Sequence, residues 1–365
     1  MDFTRTEAAL DLSGLVSTIV DSVCTPEHQR SLDTLDQRFD TALWRRLIDA
    51  DILSTAAPES VGGGGYGVLE QTAILTGLGR RLAAVPYLES VVLGAGALAR
   101  FGSAGLQQAW AAPAVAGEKV LTVALDGELG EAPVQATKTG DGFRLTGSRT
   151  QVPFGPVADA FLVPAESDSG VEVFLVAATD AGVAVTALQT TGLTSSGQLD
   201  LTGVEVPADR VVGGTAVLDW LAIDRTVGLT AYQLGVLERA LELTAEYART
   251  REQFDRPIGS FQAVSQRLAD GYIDLQGLRL TLQQASWRLS EDQPCDVEVA
   301  TAAFWAADAG HRIAHTAVHV HGGVGIDVDH QVHRYFITAK QTEFALGGAT
   351  AQLRIIGRDL ADTPA

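Results

Sequence analysis

Apolar residues recur every three to four positions through most of the first hundred residues. The stretches SGLVSTIVDSVC (13–24), DTALWRRLIDADI (40–52), GVLEQTAILTGLGRRLAAVP (67–86) and SVVLGAGALARFG (90–102) all carry this spacing. It predicts helices that bury one face, separated by loops rich in Pro and Gly. Near Glu118 the period changes. KVLTVALDG, GFRLTGSRTQV, ADAFLVPAE, VEVFLVAA, GVAVTAL and GQLDLTGVEVPADRVV are short, β-branched and alternating, with Gly, Asp and Pro between them. That pattern predicts an antiparallel β domain. From Leu218 the helical period returns in the very long LDWLAIDRTVGLTAYQLGVLERALELTAEYART and persists through two more long runs to a last helix pair. Long helices joined by short loops predict a four-helix bundle. The expected fold class is therefore α+β: an N-terminal helical domain over residues 1–117, a middle antiparallel β domain over 118–212 and a C-terminal four-helix bundle over 213–365.

Composition narrows the function. The chain has 365 residues, 46% hydrophobic and 19% charged, which suits a globular protein with a sizeable core rather than a disordered one. Its 45 acidic against 26 basic residues give a formal charge of -19. Nucleic acid and anionic membrane, which both need clustered Lys and Arg, are excluded as expected partners. An anionic ligand must then be held by local basic groups or backbone N–H donors. Cys24 and Cys295 lie far apart without a CxxC or metal spacing, which predicts free thiols in a reducing compartment. The first residues lack the basic region and apolar run of a signal peptide, and no window is apolar enough to span a bilayer. A cytoplasmic location is expected.

Three motifs carry candidate chemistry. GGGGYG (62–67) formally satisfies GxGxxG, but no strand precedes it and no βαβ pattern follows, so a loop between helices is expected. His311, His315 and His319 share one helix face with His321 just beyond. One straight helix cannot wrap three ligands around an ion, and no metal site is expected there. The third is the segment HVHGGVGIDVDHQVHRYF (319–336) together with the basic turn REQFDRPIG (251–259). Gly322 and Gly323 either cap a helix or let main-chain N–H groups approach phosphate oxygens. Arg249, Arg251 and Arg256 gather at a helix end in an acidic protein, either balancing that helix terminus or holding an anion. Arg251 is suited to a charge-assisted bond to a pyrophosphate, with the ring of Phe254 nearby.

RTREQFDRPIGSFQAVSQRLAD and HVHGGVGIDVDHQVHRYFITAK resemble the RxQFGxPIxxFQ and QxxGGxG motifs of the acyl-CoA dehydrogenases, and APESVGGGGYG resembles that family's PExxGGxG loop. The order of helical, β and helical blocks is the family's fold, so the resemblance covers essentially the whole chain. It implies that Arg251, Phe254, Gln262, His319, Gly322 and Gly323 contact the adenosine pyrophosphate of FAD across a subunit interface, with His319 where a glutamine is usual.

Departures from the family are as informative. Where it carries a TEPxxGSD stretch and KxWITNG against the flavin ring, this chain has LDGELGEAPVQ and RTQVPFG, with Gln151 for the Trp and Pro153 for the Thr. Where it carries its catalytic glutamate, the chain has Leu346 or Gly347; at the family's second position for the base, Asp224 precedes Arg225. The resemblance then implies a non-catalytic β subunit of a heteromeric α2β2 acyl-CoA dehydrogenase of steroid side-chain β-oxidation, as in actinobacterial cholesterol degradation. A homologous catalytic partner would supply the base and flavin pocket, and the assembly would dehydrogenate a steroid side-chain acyl-CoA with a shared FAD. Two alternatives stand beside it: a self-sufficient homotetramer using Asp224 as base, and a structural scaffold without flavin contact.

Overall fold

Three blocks of secondary structure follow one another where the period changes. The computed structural model describes residues 4–125, 127 and 130–362. The first block holds α1 (Glu7–Val23), α2 (Pro26–Leu32), α3 (Thr41–Asp49), α4 (Ile52–Thr55) and α5 (Val68–Arg80). A π-helical segment at Tyr87–Ala95 then runs into α6 (Gly96–Phe101), followed by the short α7 (Ala104–Leu106) and α8 (Ala112–Val115). Strands β1 (Leu121–Val123), β2 (Val134–Thr139), β3 (Gly142–Pro153), β4 (Ala160–Ser167), β5 (Gly170–Ala177), β6 (Val183–Ala187), β7 (Ser196–Pro207) and β8 (Val211–Gly213) form the second. The third contains α9 (Thr215–Thr250), the hairpin strands β9 (Glu252–Gln253) and β10 (Arg256–Pro257), α10 (Gln262–Ser290), α11 (Asp296–His321), α12 (Gln331–Ala345) and α13 (Gly348–Asp362). These elements pack as two units. One, helical, comprises the chain up to Arg30, Val68–Ala83 and everything from Thr226 on; the other comprises Ser31–Gly67 and Ala84–Arg225.

In the helical unit, α1 starts where Thr6 accepts the Ala9 N–H at 3.0 Å while its hydroxyl donates to Glu70 at 2.6 Å. That side-chain oxygen satisfies one of the free N–H groups of the first turn. Ala9, Leu12, Val16, Ile19 and Val20 make the buried stripe that the spacing predicts. Helices α5 and α9 cross at unusually short range. A Cβ on Gly235 would lie 2.0 Å from the Thr76 carbonyl oxygen, and one on Gly79 would lie 2.1 Å from that of Tyr232. Helix α11 is the centre of the bundle, and its alanine-rich faces let α10, α12 and α13 approach closely. The fully buried Gln233 of α9 ties it to two neighbours, donating to the Ala306 and Ala339 carbonyls at 3.4 and 3.0 Å. Gly310 leaves room for that amide, which would be 2.4 Å from an added Cβ. Among the described residues no single helix is long and apolar enough to cross a membrane.

In the other unit the strands order as β6-β7-β3-β2-β4-β5-β8. Pairing is antiparallel except on one edge of β4, where β1 and β2 lie end to end and run parallel to it. The expectation of a purely antiparallel sheet is corrected there: neither β1 nor β2 reaches β4 through a hairpin, so nothing forces the direction to reverse. The core between strands is built on Phe161, Phe174, Leu145, Val163, Val176 and Leu199, all fully buried. Strand β3 is bulged twice against β7, between Leu145 and Gly147 and between Arg149 and Val152. The second bulge turns Gln151 into the left-handed region at φ 60°. Bulges re-aim side chains, and this one presents Gln151 to solvent.

Candidate functional site

The residues singled out for an anionic ligand emerge from two helix ends that are joined by a ring stack. Tyr247, one turn before the end of α9, stacks on His321 at the end of α11 with ring centroids 4.3 Å apart and planes at 22°. His321 is itself buried and its Nδ1 bonds the Ala317 carbonyl at 2.8 Å. The chain leaving α9 therefore departs beside the chain leaving α11. From the first come Arg251, Phe254 and Gln262; from the second come His319, Gly322 and Gly323. All six are exposed.

The basic turn is a tight β-hairpin rather than an irregular loop. Arg251 accepts the Ile258 N–H at 2.8 Å through its carbonyl, and β9 pairs with β10 around a two-residue tip. The tip residues Phe254 and Asp255 have φ of 54° and 60°. Two consecutive left-handed residues are the geometry that Asn-Gly favours, so this pair stores strain. It holds the Phe254 ring out at 86% exposure. Arg256 lies over the Phe261 ring at 4.0 Å, which occupies that guanidinium. The Arg251 side chain has no partner among the described residues, nor has that of Gln262 at the start of α10.

Glycine is needed at 322 because φ there is 65°, the helix terminus at the C-cap. Gly325 is needed for space, since its Cβ would lie 2.8 Å from the Val318 carbonyl oxygen. Gly323 meets neither demand: nothing lies within 4 Å of its Cβ position. The chain's own packing gives no reason for glycine there. A ligand or partner that approaches the backbone closely would.

The strand end that the resemblance implies for a flavin ring carries Gln151 and Pro153. Gln151 offers a flexible amide, and Pro153 has no N–H to donate while its carbonyl accepts the Thr122 hydroxyl at 2.5 Å. The next donor, the Phe154 N–H, is spent on the Ser195 carbonyl at 3.0 Å. Glu131 accepts from the Ser148 and Thr150 hydroxyls, each at 3.0 Å, placing a carboxylate along the same strand. Of the LDGELGEAPVQ segment, Asp126, Glu128 and Leu129 lie outside the described residues.

At the two positions that the resemblance implies for a base, the chain carries no glutamate. Buried Leu346 and Gly347 stand between α12 and α13, and Gly348 opens α13; the two glycines have φ of 77° and 73°, and none of the three has an ionisable side chain. The nearest carboxylate along the chain, Glu343, is held by Lys340 at 2.6 Å. Asp224 is 8% exposed, and its Oδ2 meets no partner among the described residues. Burial pushes its carboxyl up from 3.8 to about 7, with the Arg100 charge opposing. Burial likewise raises Glu89, in the π-helical segment, to about 7, against its own backbone hydrogen bond and the Arg225 charge. Glu89 was missed from sequence because a lone glutamate in an apolar helical run gives no sign of the company it keeps.

Asp224 is thus protonated in the folded chain over pH values at which the unfolded chain ionises it. Its contribution is greatest below about pH 4 and is lost as pH rises to about 7. Asp224→Asn is expected to stabilise the protein by about 2–4 kcal/mol at pH 8 and by little at pH 4, measured by urea unfolding at both. Equal effects at the two pH values would refute the buried, neutral carboxyl.

Two histidines of α11, His311 and His315, are engaged by neighbouring side chains. His311 lies 3.0 Å from Lys340 and 3.3 Å from Glu343, and His315 packs edge-on to Phe336. His319 stands apart at the exposed end of the helix. Among the described residues no three His, Cys, Asp or Glu side chains gather as a metal site. The GGGGYG loop follows a short 3-10 turn and precedes α5, so it joins helices without a strand before it.

Comparison with known proteins fixes the family. The model of the acyl-CoA dehydrogenase N-terminal domain matches residues 6–118 and that of the C-terminal domain matches residues 212–361. The chain is 72% identical to the acyl-CoA dehydrogenase FadE27 of Mycobacterium tuberculosis over 373 residues, covering 100% of both. Its fold superposes on a chain of the ChsE4-ChsE5 complex from Mycobacterium tuberculosis with a TM-score of 0.98 at 74% identity, covering 100% of both chains. It also matches a chain of a Tcur3481-Tcur3483 steroid ACAD variant, TM-score 0.92 at 36% identity, over 98% of this chain and 99% of that one. The fold, the basic hairpin beside the Gly-Gly helix end and these matches agree: the chain belongs to the acyl-CoA dehydrogenase family.

Proposed function

We propose that this chain is the non-catalytic subunit of a heteromeric α2β2 acyl-CoA dehydrogenase, completing an FAD site whose ring pocket and base belong to a homologous catalytic partner. The observation that carries this reading is the Tyr247–His321 stack, which sets an unpartnered arginine, a strained and exposed phenylalanine and an unexplained glycine at one end of the helical unit. Arg251 binds the pyrophosphate, the Phe254 ring covers the adenosine, and Gln262, His319 and the N–H groups of Gly322 and Gly323 orient the same moiety. When bound, FAD accepts the hydride that leaves the acyl β-carbon. Pro153 and Phe154 leave the chain's own ring position without a free backbone donor, and Gln151 supplies no stacking ring, so the site is complete only with the partner's surface.

Exposed Tyr272, Ile273, Leu280, Ile326, Val328 and Phe344 provide apolar area for that subunit contact. The ChsE4-ChsE5 match is a two-component complex, and the Tcur3481-Tcur3483 match is a steroid ACAD. The first supports a partner subunit, and the second supports a steroid acyl-CoA as substrate. Cys24 and Cys295 are buried and form no disulfide among the described residues, which is compatible with a cytoplasmic setting. Co-expression with a candidate catalytic subunit is expected to yield a yellow α2β2 assembly with half as many flavins as chains, while this chain purified alone is colourless. Native mass and flavin absorbance decide it; a lone chain that retains flavin overturns the proposal.

The buried, unpaired Asp224 carboxyl favours a second reading, a self-sufficient homotetramer with Asp224 as base. It requires that the lone chain turn over and that Asp224→Asn abolish turnover.

A further inference from the structure

The helical unit contains a cavity of about 180 Å³ between α1, α5, α9 and α10, lined by none of the residues assigned above. Its walls include Leu69 and Ala73 of α5, Leu234 of α9, and Leu282 and Trp287 of α10. Close-packed helices normally leave few voids larger than a water, and a hollow of comparable size holds benzene in an engineered core. This one runs beside α5 from Leu69 to Arg80, about 16 Å by the helical rise.

Its two ends differ in charge. At one, Arg80 bonds Glu238 and Glu242 at 2.9 Å each, and Arg279 bonds Glu238 at 2.8 Å. Two guanidiniums against two carboxylates leave that end neutral. At the other, where Thr6 bonds Glu70 at the start of α5, Arg5 lines the cavity and has no side-chain partner among the described residues. Ser286 also lines it, is only 2% exposed, and its hydroxyl has no hydrogen-bond partner among the described residues. Leaving a buried hydroxyl unpaired costs about 1–3 kcal/mol, so the site is built for an occupant that bonds it.

The geometry points to a binding site for an amphipathic, unbranched monocarboxylate of about eight to ten carbons, which fits within the roughly 16 Å that the slot follows along α5. The carboxylate meets Arg5, the Ser286 hydroxyl donates to one of its oxygens, and the tail lies against Leu69, Ala73, Leu234 and Leu282 up to the neutral ion-pair network. In a chain of net charge -19 an unpaired arginine over an apolar slot selects an anionic head over a neutral one.

The test is calorimetric titration of octanoate into the purified full chain. Saturable binding to one site is expected, weakened about tenfold or more by Arg5→Gln, by Ser286→Ala to a lesser degree, and in 1-octanol, which keeps the tail without the charge. Ala73→Trp, which fills the slot, is expected to abolish it. No saturable binding at millimolar octanoate, or equal affinity for octanol, overturns the site; should Ala73→Trp fail to fold, the Arg5→Gln titration decides alone. FAD content of the assembled complex serves as the independent control, since none of these residues lies at the hairpin or the Gly-Gly segment.

Discussion

Arg251→Ala is expected to strip FAD from the assembled complex, lowering its retention about 10- to 100-fold. The side chain leaves the end of α9 exposed and without a partner among the described residues, so its removal breaks no ion pair of the fold. Surface changes of that kind usually alter stability by about 0.5 kcal/mol or less. A charged hydrogen bond to a phosphate is worth about 1.5–3 kcal/mol, which sets the size of the loss. Arg251→Lys should recover only part of it, because an ammonium cannot bond two oxygens in a plane. The measurement is flavin-to-protein ratio after gel filtration, beside a thermal unfolding curve. Unchanged flavin content with an unchanged melting temperature would favour the scaffold reading, in which no flavin is touched.

Gly235→Val should prevent the helical unit from folding normally, at a cost of about 4 kcal/mol or more. Ordinary overpacking costs about 1–3 kcal/mol because side chains can shift. Here the obstacle is backbone: the first added carbon would lie 2.0 Å from the Thr76 carbonyl oxygen and 2.8 Å from the Arg80 nitrogen. The Arg80 side chain is anchored on the same α9 through Glu238 and Glu242, and the Arg80 carbonyl accepts the Tyr335 hydroxyl at 2.6 Å. Separating the helices would therefore break ion pairs as well as apolar contacts. Circular dichroism and urea unfolding of Gly235→Ala and Gly235→Val test this; a cost below about 1 kcal/mol for Val would show that the crossing is looser than its geometry implies. Gly357, with nothing within 4 Å of its Cβ, is the matched control.

How far the sequence could be read follows the range of the interaction involved. Helix periodicity located α1, α3, α5 and the three long helices because each buries a stripe of its own residues. The Gly322 cap was legible since left-handed backbone favours glycine. The Arg251 hairpin was legible only as a basic turn: its positive φ at Phe254 and Asp255 opposes local preference and exists only because β9 and β10 close around it. The π-helical segment and the raised Glu89 and Asp224 carboxyls gave no sequence signal, since they depend on what surrounds those residues in space.

By itself the sequence determined the blocks of helix and strand and the excess of negative charge. Those are properties of single residues and their neighbours along the chain, so a linear reading suffices. Tertiary structure alone decided that Tyr247 seats on His321, that Gly235 meets Thr76, that a bulge turns Gln151 outward and that a slot opens beside Ser286. Each joins residues many positions apart, and its energy comes from close packing and from removing polar groups from water. Both effects need those distant residues brought together, which no linear reading of the chain shows.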